Sequence, residues 1–293
     1  MVRSQFVPAL NRATAGAGLS IEDYVALAAA TGYQWIELDG AQVPGLFELG
    51  EERAATLLAR HGLQIASFFL PVDWRHEEGR FAADMAKFAA FVPFIAALGA
   101  RRCCTYLFPN LPTPPEESRR QIGRRFALID ALLADHGLSF GLEFLGPAHF
   151  LREPGHTFLY RMHDMLAFAE AIGPNVGLLI DSLHWHCLGA DRQALAALPP
   201  NRVIYAHIDD APPGPVAAQR DDDRLLPGEG VIDLIGFIEG LAAAGYSGPI
   251  GIEIDGPYLR SDSPERAAAR ARAAWDVLFA RAEFARFTVG SPV

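Results

Sequence analysis

Cysteine is scarce in this sequence, and long apolar runs are missing. The three cysteines are odd in number and show no CxxC spacing, which argues against a disulfide framework and against a cysteine-based zinc site. No uninterrupted apolar run approaches the roughly 18 residues that span a bilayer, and the N-terminal segment lacks the apolar stretch of a secretion signal. These absences predict a soluble cytoplasmic protein with no membrane partner and with reduced, mostly buried thiols at Cys103, Cys104 and Cys187.

Positive charge is also in deficit. Lysine and arginine number 25 against 35 aspartates and glutamates, a formal net charge of −10, so the overall field repels polyanions and argues against a nucleic-acid partner. Apolar residues make up 51% of the 293 residues, which excludes disorder and allows a large core. No low-complexity tract or linker marks a boundary, so we predict a single domain over residues 1–293.

What is present is a repeating pattern of strand, polar loop and helix. Each short β-branched or aromatic run precedes an Ala/Leu-rich segment with helical spacing, and two such helices are predicted between Ser20 and Gly32 and between Ser118 and Gly137. Eight units of this kind suit a parallel (β/α)8 TIM barrel, for which about 250 residues are typical. The predicted strands are Gln5 to Leu10, Gln34 to Asp39, Gln64 to Leu70, Arg102 to Phe108, Ser139 to Phe144, Val176 to Asp181, Arg202 to Asp209 and Pro249 to Asp255.

An open, doubly wound α/β sheet is the alternative architecture. That fold commonly carries a GxGxxG fingerprint after its first strand. The chain reads NRATAGAGLS there, with no third glycine at the required spacing. The barrel is therefore the favoured fold, and no dinucleotide cofactor is expected.

Four metal-capable side chains lie at the ends of consecutive predicted strands. In a barrel these ends converge on one mouth, where three carboxylates and an imidazole would carry a charge of about −3 without a cation. One divalent ion, Mn²⁺, Zn²⁺, Mg²⁺ or Co²⁺, suits such ligands. The alternative is that each side chain bonds to loop amides or pairs with arginine. The four residues are Glu143, Asp181, His207 and Glu253.

Several polar or aromatic residues lie beside these predicted ligands. The segment DSLHWH is read as extended or turning, which places His184 near the metal and makes Trp185 an apolar wall. Glu37, at the end of the second strand, is expected to line the pocket, whereas Glu170 is expected on a solvated helix face. The long loop after the seventh strand contains Arg224, either a functional residue or a surface ion pair, and a PGEG segment that we interpret as a turn.

Five separated segments resemble the xylose-isomerase-like barrel superfamily of sugar isomerases and epimerases, and most closely 2-keto-myo-inositol isomerase-type proteins. They are LEFLG at 142–146, DSLHWHCLG at 181–189, HIDD at 207–210, DRLLPGEGVIDL at 223–234 and the strand that carries Glu253. The resemblance implies that the four strand-end residues hold one divalent metal and that His184 and Arg224 contact substrate. Relatives that act on ketohexoses carry a glutamate where this chain has His149, which weakens the interpretation of this chain as a ketohexose epimerase.

The activity implied by the resemblance is metal-dependent isomerisation or epimerisation of a small keto-sugar or keto-polyol through a metal-stabilised enediolate. Glu143 and Glu253 would act as base and acid, in an order that the sequence leaves open. The alternatives are a lyase of the 3-dehydroshikimate dehydratase type, a three-metal DNA-repair endonuclease and a non-catalytic barrel that binds metal and sugar acid. Pairing of the outer helices into a homo-oligomer also stays open.

Overall fold

A computed structural model describes residues 5–16, 18–40, 42–152 and 154–289. Eight parallel strands form a closed barrel in which each strand pairs with its neighbours in the sequence. The last strand closes on the first, with pairs running from Phe6 and Gly248 to Leu10 and Ile252. The strands are β1 Phe6–Leu10, β2 Trp35–Leu38, β3 Gln64–Phe69, β4 Arg102–Leu107, β5 Ser139–Phe144, β6 Val176–Asp181, β7 Val203–Ile208 and β8 Gly248–Ile252.

Closure of the sheet excludes the open, doubly wound alternative and confirms the predicted barrel. The predicted bounds of β5 and β6 agree with the structure, and most other strand ends differ by one residue. The exception is β8, which ends at Ile252 rather than Asp255. Glu253 therefore follows the strand directly, at the mouth of the barrel.

Helices connect the strands and cover the outside of the barrel. A short antiparallel pair, Asn110–Leu111 with His156–Thr157, and two 3-10 helices, Ala148–Leu151 and Val216–Ala218, complete the loops of the described chain. The α-helices are α1 Arg12–Ala15, α2 Ile21–Ala30, α3 Gln42–Glu48, α4 Glu51–His61, α5 Glu78–Ala97, α6 Pro115–Asp135, α7 Met162–Ile172, α8 Ser182–Cys187, α9 Arg192–Ala196, α10 Leu234–Ala243, α11 Pro257–Arg260 and α12 Pro264–Val289.

The two helix starts predicted from serine behave differently. Ser20 caps α2, where its hydroxyl accepts a hydrogen bond of 3.0 Å from the amide of Asp23. Helix α6 instead begins at Pro115, because the fixed φ of proline suits a first helical position. Ser118 lies inside that helix, with its hydroxyl directed to the carbonyl of Thr113.

The apolar core has two parts, one on each side of the barrel wall. The larger part lies between strands and helices, while a small cluster of Ala9, Ala66, Cys104, Leu179 and Tyr205 fills the barrel interior. Cys103 belongs to the larger part and Cys104 to the cluster in the barrel interior, because successive residues of a strand point to opposite faces. No helix in the described residues is long and apolar enough to cross a membrane.

Candidate metal centre

The four predicted metal ligands meet at the carboxyl ends of β5 to β8. Asp181 and His207 are paired in register on β6 and β7, and His207 is also paired with Gly251 on β8. One ligand atom from each of Glu143, Asp181, His207 and Glu253 lies within 4.8 Å of the others. The barrel thus brings together three carboxylates and one imidazole from four different strands.

Unsatisfied atoms within this cluster fit a cation. Oε1 of Glu143 and Nδ1 of His207 are buried without a hydrogen-bond partner. Nδ1 lies 3.6 Å from that oxygen and 3.1 Å from Oε2 of Glu253. Buried polar atoms that point at one another without a hydrogen bond are costly, whereas a shared cation satisfies them together. Three oxygen donors and one imidazole are a ligand set that divalent ions accept.

His207 is oriented by a carboxylate on the far side of the barrel. Its Nε2 lies 2.9 Å from Oε2 of Glu37, so a proton on Nε2 leaves Nδ1 to face the cluster. Glu37 also accepts hydrogen bonds from the hydroxyl of Tyr205 at 3.0 Å and from the amide of Asn11 at 3.1 Å. Burial opposes protonation of His207, but the charges of Glu37 and Glu253 outweigh it and raise the pKa of the imidazole well above its usual value.

A glycine on β8 makes room for this contact. A β-carbon at Gly251 would lie 1.7 Å from Oε1 of Glu37 and 2.8 Å from Cδ2 of His207. Both distances are shorter than side chains tolerate. The absence of a side chain at this position is therefore a requirement for the contact between Glu37 and His207.

Arg224 is buried against the cluster and is not a surface residue. Its Nη1 donates to Oδ2 of Asp181 at 2.7 Å, to Oδ2 of Asp209 at 2.5 Å and to Oε2 of Glu253 at 3.1 Å, while Nη2 donates to Asp221 at 2.8 Å. Pairing with arginine thus accounts for part of the acidic charge. One guanidinium cannot balance these four carboxylates and Glu143 as well, so the cluster still favours a further cation.

The carboxylates of the cluster have pKa values that are shifted in opposite directions. Burial raises the pKa of Glu143. Burial also acts to raise the pKa of Glu253, but the charges of His207 and Arg224 prevail and lower it below its usual value. For Asp209, burial and the nearby Asp181 raise the pKa. Neighbouring carboxylates with opposed shifts are typical of sites that transfer protons.

A cavity of about 550 Å³ opens beside the cluster. Glu143, His207 and Glu253 form part of its wall, and the rings of Phe69 and Tyr106 form an apolar part. A cavity of this size with a few convergent polar groups can enclose a small molecule.

The residues predicted to contact substrate differ in whether they line this cavity. Glu37 lines it, although its carboxylate is engaged by His207. His184 and Arg224 are buried behind the ligands, with Nε2 of His184 3.6 Å from Oδ1 of Asp221, and neither is part of the cavity wall.

Trp185 requires a correction, because its segment, expected to be extended or turning, is a short helix. Oδ1 of Asp181 accepts a hydrogen bond of 2.9 Å from the amide of His184, which caps α8. The helical turn directs Trp185 into the core, where its ring centroid lies 5.4 Å from that of Phe237. Phe69 and Tyr106, not Trp185, form the apolar wall of the cavity.

Two further sequence interpretations agree with the structure. The PGEG segment is a turn, held because the carboxylate of Asp210 accepts hydrogen bonds from the amides of Gly228, Gly230 and Ile232. Glu170 lies on α7 with its side chain 44% exposed, as expected for a solvated helix face.

The sequence interpretation overlooked Asn11, Tyr205 and Asp209. Asn11 directly follows β1 and Asp209 closely follows β7, so the rule that selected the metal ligands, a polar residue at a strand end, could also have selected these two. Tyr205 lies within β7 and carries no such signal.

The sequence of the chain matches a protein-family model. Residues 25–277 match the xylose isomerase-like TIM barrel family, and the chain belongs to that family. Among curated relatives, an inosose isomerase of Bacillus velezensis is 27% identical over 143 residues, which are 48% of this chain and 49% of that protein. A 3-dehydroshikimate dehydratase of Pseudomonas putida is 30% identical over 141 residues, 45% of this chain and 21% of that protein. The matched segment thus spans about half of the first relative and about a fifth of the second.

Solved structures match over nearly the whole chain. A xylose isomerase domain protein of Alicyclobacillus acidocaldarius subsp. acidocaldarius has a TM-score of 0.88 and 32% identity, over 95% of this chain and 99% of that one. The IolI protein, solved with a bound zinc atom, has a TM-score of 0.78 and 21% identity, over 94% and 98% of the two chains.

Proposed function

We propose that this chain is a divalent-metal-dependent isomerase of a small polyhydroxylated ketone, of the inosose kind. The observation that carries the proposal is the convergence of Glu143, Asp181, His207 and Glu253 within 4.8 Å, beside a cavity that three of them line. The similarity to inosose isomerases and the zinc atom of the IolI structure support the same assignment.

Glu143, Asp181, His207 and Glu253 would hold the metal. A bound divalent ion would polarise the substrate carbonyl and offset the negative charge that develops when the neighbouring carbon loses its proton. Mn²⁺, Zn²⁺, Mg²⁺ and Co²⁺ all accept this ligand set, so the donor atoms alone do not select among them.

Glu143 is the residue we assign to proton transfer. It lines the cavity, and a carboxylate that binds the metal through one oxygen keeps its other oxygen free to take a proton. Glu253 is more constrained, since Arg224 holds Oε2 at 3.1 Å and Asn11 holds Oε1 at 3.4 Å. Glu143 would take the proton from the hydroxyl-bearing carbon beside the carbonyl, and one of the two glutamates would return a proton to the former carbonyl carbon. The hydroxyl proton would pass to the former carbonyl oxygen, so that the carbonyl and hydroxyl groups exchange positions.

Replacement of Glu143 tests this assignment. Because the carboxyl proton exchanges with water, the wild-type protein loaded with Mn²⁺ should exchange solvent deuterium into inosose at the carbon next to the carbonyl, as detected by NMR. Glu143→Gln should lower the exchange rate by about 10²- to 10⁴-fold. Glu170→Gln, which alters a glutamate on an outer helix, should leave the rate unchanged. Wild-type exchange in Glu143→Gln would remove Glu143 from the mechanism.

Dehydration is the second candidate function, favoured by the similarity to 3-dehydroshikimate dehydratases. Loss of the same proton could be followed by departure of a β-hydroxyl group, which would give a vinyl product signal in NMR. Binding without any deuterium exchange would instead indicate a non-catalytic barrel. The three-metal endonuclease alternative is disfavoured by the net charge of −10 and by the single group of four ligands in the described residues.

A further inference from the structure

We infer that an ion pair between Arg12 and Asp39 makes the cavity selective for neutral polyol ketones over ring ketones that carry a carboxylate. This inference rests on the proposed function and specifies its substrate class. It concerns the part of the cavity wall that lies beyond the metal-ligand cluster, where both residues are exposed to the cavity.

The fold places the two residues next to the metal-ligand cluster. Arg12 follows Asn11, whose side chain contacts Glu37 and Glu253, and Asp39 follows Glu37 by two residues. Nη1 of Arg12 lies 3.3 Å from Oδ1 of Asp39. The same oxygen accepts a hydrogen bond of 2.8 Å from the amide of Gln42, at the start of α3. Asp39 is thus anchored by a helix terminus while it engages the guanidinium.

The charges around the cavity disfavour an anionic substrate. Among the described residues that line it, the cationic side chains are Arg12 and His207, and each contacts a carboxylate, Asp39 and Glu37 respectively. Glu143 and Glu253 add two more carboxylates to the wall. Even with one divalent ion bound and His207 neutral, four carboxylates outnumber the positive charges. A substrate carboxylate would therefore meet no excess positive charge and would have to compete with Asp39 for Arg12.

A neutral polyol matches the same surface. The guanidinium donates hydrogen bonds and the carboxylate accepts them, so the pair can bind neighbouring hydroxyl groups of a sugar-like ring. The rings of Phe69 and Tyr106, with centroids 5.6 Å apart, offer an apolar surface for the C–H face of that ring. Both features favour a hydroxylated ring without a charged group.

The test compares two ligands on the Mn²⁺-loaded protein, inosose as the neutral ring and 3-dehydroshikimate as the carboxylate. Asp39→Asn keeps an oxygen for the amide of Gln42 but removes the charge that neutralises Arg12. Calorimetry should show an affinity ratio shifted toward 3-dehydroshikimate by at least about tenfold. Arg12→Gln removes the guanidinium that a substrate carboxylate could meet and keeps the negative charge of Asp39, so it should shift the ratio the opposite way.

Opposite shifts from the two variants distinguish charge recognition from a merely structural role, which would weaken both ligands in both variants. Glu239→Gln is the matched control, since it removes a carboxylate that pairs with Arg192 on the outer helices. It should leave the ratio unchanged.

The specificity inference and the proposed isomerase activity can fail independently of each other. An unchanged ratio in Asp39→Asn, or shifts of the same sign in both variants, would overturn the specificity inference even if the wild type isomerises inosose. Opposite shifts in a protein that exchanges no deuterium into inosose would support the inference and refute the proposed isomerase.

Discussion

Glu37 lies where its sequence position predicts, but the partner of its side chain could not be predicted. Its place at the end of β2 predicts that it lines the pocket, and it does. Its partner could not be predicted, because His207 is 170 residues away in the sequence and the two side chains meet across the barrel. The contact makes Glu37 a positioning residue for the imidazole in our proposal, since a carboxylate behind a metal-binding histidine fixes its tautomer and orientation.

Glu37→Gln should change how metal binding depends on pH. Metal binds neutral imidazole, and the raised pKa of His207 keeps the metal-free residue protonated at neutral pH, so affinity should fall as pH falls and binding should release a proton. Protonated His207 stabilises the metal-free fold below its unfolded-state pKa, and this contribution is lost as pH rises through the higher folded pKa.

The glutamine variant lacks the charge that raises this pKa, so it should release fewer protons on binding metal. It also loses the carboxylate that orients His207, and for that reason its affinity for metal should fall about 10- to 100-fold. Calorimetry in two buffers of different ionisation enthalpy measures both quantities. Proton release and affinity equal to those of the wild type would contradict the role of Glu37.

Among the elements, strands are more predictable than the segment after β6. Short, mostly apolar runs locate β5 and β6, because both faces of a barrel strand are buried. DSLHWH is too short to show a helical period, and its helix depends on the side chain of Asp181 as a cap. The interpretation of Trp185 failed for that reason, since its direction depends on a six-residue helix.

Gly251→Ala tests whether the contact between Glu37 and His207 requires a residue without a side chain on β8. The new methyl group would displace the carboxylate of Glu37, so we expect unfolding free energy to fall by about 1–3 kcal/mol and metal affinity to fall about 10- to 100-fold. Chemical denaturation and metal titration measure the two effects.

Gly79→Ala is the control for that substitution, because a β-carbon there meets no atom within 4 Å and the position is helical. It should leave metal affinity unchanged and stability equal or slightly higher. Wild-type metal affinity in a folded Gly251→Ala protein would show that the contact between Glu37 and His207 does not orient the ligand.

At the scale of the whole molecule, the repeating pattern predicts both the barrel and the mouth at which its functional side chains converge. In a closed barrel of parallel strands, the carboxyl ends of all the strands lie at the same mouth, whatever the loops contain. What cannot be predicted this way is pairing between distant units. Arg224, in the loop after β7, contacts Asp181 at the end of β6 and Glu253 after β8, and the sequence around it left a functional role and a surface ion pair both open.

The most direct measurement is the metal content per chain after reconstitution with Mn²⁺, for the wild type and for Asp181→Asn. Asparagine keeps an oxygen to cap α8 but lacks the charge of the ligand, so the fold should persist. We predict about one equivalent in the wild type and almost none in the variant. No bound metal in the folded wild type would contradict the metal centre and the isomerase together, and about three equivalents would favour the endonuclease alternative.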